Sequence, residues 1–172
     1  MARAYITPQH LRPDHNLEAF ECSSAEQASW LRDHARQSVA GSHTRVLVVT
    51  ARSSPDVVGY FAWTMAHLDL ADAPDRLRRG AGNYPAPVAL LARLGVDQRH
   101  EGVGVGAGLL RDVMFRTVAV ADQIGCRALL VHCENANARD FYLRHVPDFE
   151  VSPTDPMHLV LLVKDIRKAL SA

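Results

Sequence analysis

The chain has no apolar run approaching the roughly 20 residues that would cross a bilayer, and residues 1–11 lack the apolar stretch of a secretory leader. A cytoplasmic protein with no membrane partner is the expectation. Cysteine is scarce, and the three present, Cys22, Cys126 and Cys133, form no CxxC pair, which argues against a disulfide framework or a thiolate zinc site. All three are expected to be buried thiols. The nine histidines include no pair at i, i+4 and no HExxH, so no metal is expected. An excess of charge is lacking too: 19 Lys and Arg balance 19 Asp and Glu. Contact with a nucleic acid would therefore need a local basic patch, because the chain as a whole carries no attracting field. Internal repeats and low-complexity segments are also missing.

What is present describes an ordinary folded protein. With 172 residues, 48% hydrophobic and 22% charged, one domain over residues 1–172 can bury a real core. Ser24 followed by Gln27 has the form of a capping box and predicts a helix from about Ala25 to Gln37. RVLVVTA (45–51) and VVGYFAWTMAHLDL (57–70) read as the strands of an antiparallel hairpin with a polar turn at Ser53–Asp56. Residues 71–86 are polar and glycine-containing and read as a flexible loop. A strand over 87–96 leads into the glycines, after which Leu109, Val113, Thr117, Val120 and Ile124 recur at helical spacing, with Gly125 as the expected C-terminal cap. ALLVHC (128–133) is a short strand of the kind buried on both faces, and strand, helix, strand makes a parallel crossover. A short helix over 138–145 should stop before Pro147, and HLVLLV (158–163) is the last strand.

Gly102, Gly104, Gly106 and Gly108 alternate at the start of a helix, where free amides and close backbone approach suit a phosphate. Gly102-x-Gly104-x-x-Ala107 also satisfies a Rossmann fingerprint, and Glu134 imitates its ribose acid. The spacer between strand and glycines, and the short chain left after them, disfavour nicotinamide. The lack of Gly-Lys-Ser or Gly-Lys-Thr disfavours a Walker loop. Glycines serving only tight helix packing are the bland alternative.

VDQRHEGVGVG, with Arg99-x-x-Gly102-x-Gly104, resembles the acetyl-CoA motif of the GNAT N-acetyltransferase superfamily, and the order of elements resembles the GNAT fold. FECSSAEQASWLRDHA, ALLARLGVDQRHEGVGVGAGLLRD, ENANARDFYLRH and SPTDPMHLVLLV resemble, more closely, the TacT-type toxins of toxin-antitoxin pairs. This resemblance implies an α+β fold: a single GNAT-like domain with a mixed, mostly antiparallel central sheet and helices on both faces. It implies acetyl transfer from acetyl-CoA to the amino group of an aminoacyl-tRNA, which blocks translation. It also implies a homodimer and a ribbon-helix-helix antitoxin, through which alone DNA would be bound. A GNAT enzyme for a small amine or protein, and a CoA-binding module without turnover, are the competing functions.

By the same resemblance, backbone groups of Leu94, Gly95 and Val96 pair with the pantetheine arm. Amides of Glu101, Gly102, Val103, Gly104, Val105 and Gly106 hold the pyrophosphate, with Arg99 and His100 beside them. Asn135 or Asn137 binds the cofactor further on, unless it is a helix cap. Tyr142 is the expected general acid, its phenol near pKa 10 against a thiolate near 8.5; packing of the helix is its bland reading. Arg76, Arg78, Arg79 and Arg93 are the expected tRNA patch, with solvated loop charge as the alternative. No general base stands out, and an aminoacyl amine, less basic than lysine, needs one least. Two departures from the toxin pattern are Glu101, where arginine is usual, and Val146-Pro147-Asp148-Phe149 in place of a Gly-Phe corner.

Overall fold

The computed structural model describes residues 4–172. Its elements run β1 (Gln9–His10), α1 (Ala25–Asp33), α2 (Ala35–Ala40), β2 (Arg45–Thr50), β3 (Val57–Leu68), a 3-10 turn (Leu70–Asp72) and α3 (Asp75–Arg78). There follow β4 (Ala86–Val96), a second 3-10 turn (Gln98–His100), α4 (Val105–Ala121), β5 (Ala128–His132), α5 (Ala136–His145), β6 (Glu150–Val151), β7 (His158–Leu162) and α6 (Val163–Ser171). The seven strands form one mixed sheet in the order β1-β2-β3-β4-β5-β7-β6. The β4–β5 pair is parallel, while β1–β2, β2–β3, β5–β7 and β6–β7 are antiparallel. By contacts the chain divides into two compact units: the chain up to Thr64 with Ala92–Asp112, and Met65–Leu91 with Val113–Ala172.

In the first unit Ser24 caps α1, its hydroxyl accepting from the Gln27 amide at 3.1 Å. The expected helix to Gln37 is broken at His34, whose φ of −126° leaves the helical region. Ala28, Leu31 and Ala35 continue at three- and four-residue spacing across the break, so the apolar stripe survives it and packs on Val46, Val48, Tyr60 and Ala62. Those four residues share one face of the β2–β3 hairpin, in which Val46 pairs with Ala62 and Val48 with Tyr60.

In the second unit Leu68, Ala73, Leu77, Val88, Ala128, Leu130, Val160 and Leu162 form the core. Residues 71–86 are therefore more than a loop: they begin within the 3-10 turn and carry α3, because Ala73 and Leu77, both 0% exposed, bury themselves under the sheet. Arg76 closes this segment onto α6 with a bidentate pair to Asp165 at 2.8 and 3.0 Å. The strand β5 is buried on both faces, as its continuous apolar run requires. Helix α4 ends at Ala121, before Gly125: the Gln123 amide already bonds three residues back to Val120, and Ile124 is 56% exposed. Helix α5 begins two residues earlier than expected. The strand HLVLLV gives way at Val163 to α6, where Val163 and Ile166 turn inward at helical spacing. Cys126 and Cys133 are buried, but Cys22 is only partly so.

Candidate active site

Strand β4 pairs with β5 from Val88↔Ala128 to Leu91↔Val131, and residues 92–96 run on past the end of that ladder. Within them lie Leu94, Gly95 and Val96. Gly95 is buried, and a Cβ there would stand 3.0 Å from Tyr60 Cε1 and 3.5 Å from Phe20 Cζ. The chain then turns at Asp97, whose own amide is held by the Val58 carbonyl at 2.8 Å.

Asp97 organises this turn, and the sequence reading did not single it out. It is 0% exposed, caps the 3-10 turn by accepting from the Arg99 amide at 2.9 Å, and receives the Glu21 amide at 3.1 Å. The Arg99 guanidinium grips both its oxygens, at 2.9 and 3.0 Å, and donates to the Ala19 carbonyl at 3.0 Å. The structure thus places the charge of Arg99 against Asp97. Burial pushes the Asp97 carboxyl up, but the hydrogen bonds from Arg99 and Glu21 outweigh it and hold the pKa at about 2. A carboxyl depressed on folding stabilises the native state above its unfolded value, near 3.9, and loses that contribution as the pH falls toward 2. Asp97→Asn should cost about 2 kcal/mol at neutral pH. In urea unfolding at several pH values, the gap between variant and wild type should close between about pH 4 and 2. A gap independent of pH would refute the ion pair as its source.

His100 is held by Tyr5, whose hydroxyl lies 2.9 Å from Nδ1. Glu101, Gly102, Val103 and Gly104 are all exposed. Gly102 and Gly104 have φ of +74° and +94°, the left-handed region that glycine occupies without strain. A Cβ at either position would meet nothing within 4 Å, so the backbone faces open space. The first helical bond of α4 runs from the Gly108 amide to the Gly104 carbonyl at 3.0 Å. The amides of Val105, Gly106 and Ala107 therefore have no partner inside the helix, and with the helix dipole they suit an anion. Glu101 adds a carboxylate to the same turn. A groove of about 500 Å³ borders it, lined by Tyr5, Ile6, Val49, Val103, Gly104 and Gly108.

The first turn of α4 rests on β3 at Gly59, a second position the sequence reading passed over. A Cβ there would stand 2.8 Å from Val105 Cγ1 and 3.1 Å from Leu109 Cδ1. Gly59→Ala should destabilise the protein by about 1–3 kcal/mol by overpacking and weaken anion binding by displacing the helix start. Chemical unfolding and calorimetric titration with acetyl-CoA check both effects, and a variant with native affinity would detach Gly59 from the turn.

In the second unit Tyr142 lies on α5, buried to 6% exposure, with Phe149 and Phe141 edge-on at 5.9 and 5.2 Å. Its hydroxyl is not one of the buried polar atoms left without a partner among the described residues. Burial, and after it the Cys133 thiol, raise its pKa well above the ordinary phenol value assumed from sequence. The ring thus enters any reaction protonated. Burial likewise raises Cys133, to about 11, so this thiol is neutral and unreactive. Asn135 caps α5, its Oδ1 accepting from the Ala138 amide at 2.9 Å, and Asn137 is exposed in the first turn.

The four arginines divide between the units. Arg93 lies 5.0 Å above the Trp30 ring and donates to Gln27 at 3.1 Å and Glu26 at 3.4 Å. In the other unit Arg76 is committed to Asp165, with Glu150 at 3.7 Å. Arg78 bonds the Ala73 carbonyl at 3.1 Å and lies 3.8 Å from Asp75, and Arg79 is exposed.

A fourth strand that leads through a 3-10 turn into left-handed glycines at a helix start offers backbone amides to the phosphates of a nucleotide-bearing ligand. The chain belongs to the acetyltransferase (GNAT) family, whose model matches residues 9–146. It is 41% identical over 163 residues to a tRNA-acetylating toxin of Mycobacterium tuberculosis, covering 95% of each chain. Among solved structures it matches a mutant of KacT with a TM-score of 0.90 and 20% identity, over 97% of this chain and 99% of the other. It also matches a mutant of the toxin AtaT bound to the C-terminus of the antitoxin AtaR and acetyl-CoA, with a TM-score of 0.80 and 21% identity, over 96% and 98%. No helix among the described residues is long and apolar enough to cross a membrane.

Proposed function

We propose that the chain is a toxin that transfers the acetyl group of acetyl-CoA to the α-amino group of an aminoacyl-tRNA and so stops translation. The observation that carries the cofactor reading is the glycine turn: left-handed Gly102 and Gly104 face open space beside amides with no helical partner. The residues fit the co-substrate. Amides from Glu101 to Gly106 would hold the pyrophosphate, and Leu94–Val96, past the β5 ladder, would pair with the pantetheine arm. Arg99 acts through Asp97 by fixing the turn, while Asn135 is occupied as a cap.

The acceptor is supported by the 41%-identical mycobacterial relative, whose substrate is a tRNA. The chemistry of the acceptor agrees. An aminoacyl α-amine is less basic than lysine and is substantially neutral near pH 7, so attack needs no strong base. Acetyl-CoA supplies the activated thioester. Tyr142, kept protonated by its burial, gives its proton to the departing sulfur as the carbon–sulfur bond breaks, and the proton that the amine releases returns through water to the Tyr142 phenolate. A homodimer, neutralised by a ribbon-helix-helix antitoxin that carries the DNA binding, belongs to the same reading. So does a place in the cytoplasm.

Adding the protein to a cell-free translation reaction tests this. Synthesis should stop when acetyl-CoA is present and continue when it is omitted. Arrest that is indifferent to acetyl-CoA would contradict the reading.

A further inference from the structure

Between α3 and β4 the chain leaves the core as Arg79-Gly80-Ala81-Gly82-Asn83-Tyr84-Pro85 and returns at Ala86, which is 1% exposed. Tyr84 is 79% exposed, the most open of the large hydrophobic side chains noted as exposed in the structure. A tyrosine ring offers some 150–250 Å² of surface, and folding here recovers almost none of it. The base of the excursion, by contrast, is fixed. The Arg127 guanidinium donates to the Leu77 carbonyl and, at 3.0 Å, to the Arg79 carbonyl, while the Ala81 amide bonds the Arg78 carbonyl at 3.2 Å. Gly80 and Gly82 take φ of +80° and +63° on the way out. Two cations precede this ring in sequence, at the start of the same excursion: Arg78 is 48% exposed, and Arg79 has no carboxylate partner among the described residues. The opposing charge is Asp75, 3.8 Å from Arg78, while Arg76 is already neutralised by Asp165. An open aromatic face on the same short excursion as an exposed guanidinium without a carboxylate partner, in a chain with no net charge, has the chemistry of a contact with single-stranded nucleic acid.

We propose that Tyr84 stacks on an unpaired base of the tRNA substrate while Arg79 and Arg78 meet the adjoining phosphates. This rests on the acceptor reading given above and adds to it the segment that grips the RNA. Stacking requires the ring and not the hydroxyl, so Tyr84→Ala and Tyr84→Trp separate the two. Filter binding of total tRNA at fixed salt should show about 5- to 100-fold weaker affinity for the alanine variant. The tryptophan variant should stay within about twofold of wild type. The KM for charged tRNA should rise in parallel with the loss of affinity, while kcat and acetyl-CoA affinity hold. Arg79→Ala should reduce the slope of log affinity against log salt by about one. Equal tRNA affinity in wild type and Tyr84→Ala, equal impairment by alanine and tryptophan, or a change of oligomeric state in Tyr84→Ala would each overturn the contact. Wild-type protein that binds tRNA through Tyr84 but acetylates no charged tRNA would sink the acceptor reading and leave this contact standing.

Discussion

Tyr142→Phe is expected to lower kcat for acetyl transfer by about 10²- to 10⁴-fold, the usual cost of removing a general acid, while acetyl-CoA affinity stays within about twofold. The substitution removes one oxygen from a ring packed edge-on against Phe149 and Phe141. Because the ring keeps its packing, stability should change by no more than about 1 kcal/mol. Function is the property that should fall, and growth inhibition on expression should fall with it. The pH dependence has a definite sign. Because burial raises the Tyr142 pKa, the acid form persists through the alkaline range, and activity should not decline between pH 8 and 10 through loss of this proton. Turnover equal to wild type in the phenylalanine variant would remove Tyr142 from the mechanism.

Gly104→Val should abolish acetyl-CoA binding in a protein that still folds. At φ of +94° a β-branched residue is strained by about 1–3 kcal/mol, and the chain can relieve this only by remodelling the turn that presents the amides. A Cβ at Gly104 meets no protein atom within 4 Å, so no core packing is disturbed; the new side chain instead fills the space a phosphate would approach. Acetyl-CoA at 100 times its Kd stabilises the wild type by about 2.7 kcal/mol, or roughly 5–10 °C in Tm for a chain of this length. NADH and ATP should do less. The valine variant should show a cooperative transition and no shift with acetyl-CoA. A full shift in the variant, or an equal shift of the wild type with NADH, would assign the glycines to packing alone.

Much of this was legible before any coordinates, and the reasons are local. The hairpin β2–β3 follows from two β-branched runs around a polar turn, where Ser53 takes φ of +64°. The capping box at Ser24 and the glycine turn are chemical signals contained within a few residues. What escaped depended on distant partners. Helix α3 spans four residues and is stable because Leu77 finds a core and Arg76 finds Asp165, 89 residues away. Strands β1 and β6, two residues each, exist only as partners of β2 and β7. The start of α6 hides inside an apolar run whose period cannot say where strand ends and helix begins. At the site, the glycines and Tyr142 announced themselves by type and by family resemblance, whereas Asp97 and Gly59 did not. The role of Asp97 is set by amides of Glu21 and Arg99, and that of Gly59 by Val105, contacts that only the fold brings together. The motif places Arg99 beside the amides that would hold the pyrophosphate, and its engagement with Asp97 is not legible from that place.

The most direct test incubates the protein with acetyl-CoA and total charged tRNA, digests the RNA, and identifies the terminal adenosine esters by mass spectrometry. The account predicts one or more aminoacyl-adenosines heavier by an acetyl group on the α-nitrogen, formed only with acetyl-CoA and lost in Tyr142→Phe. Charged tRNA recovered unmodified, while a lysine-bearing protein or a free small amine in the same mixture becomes acetylated, would contradict it.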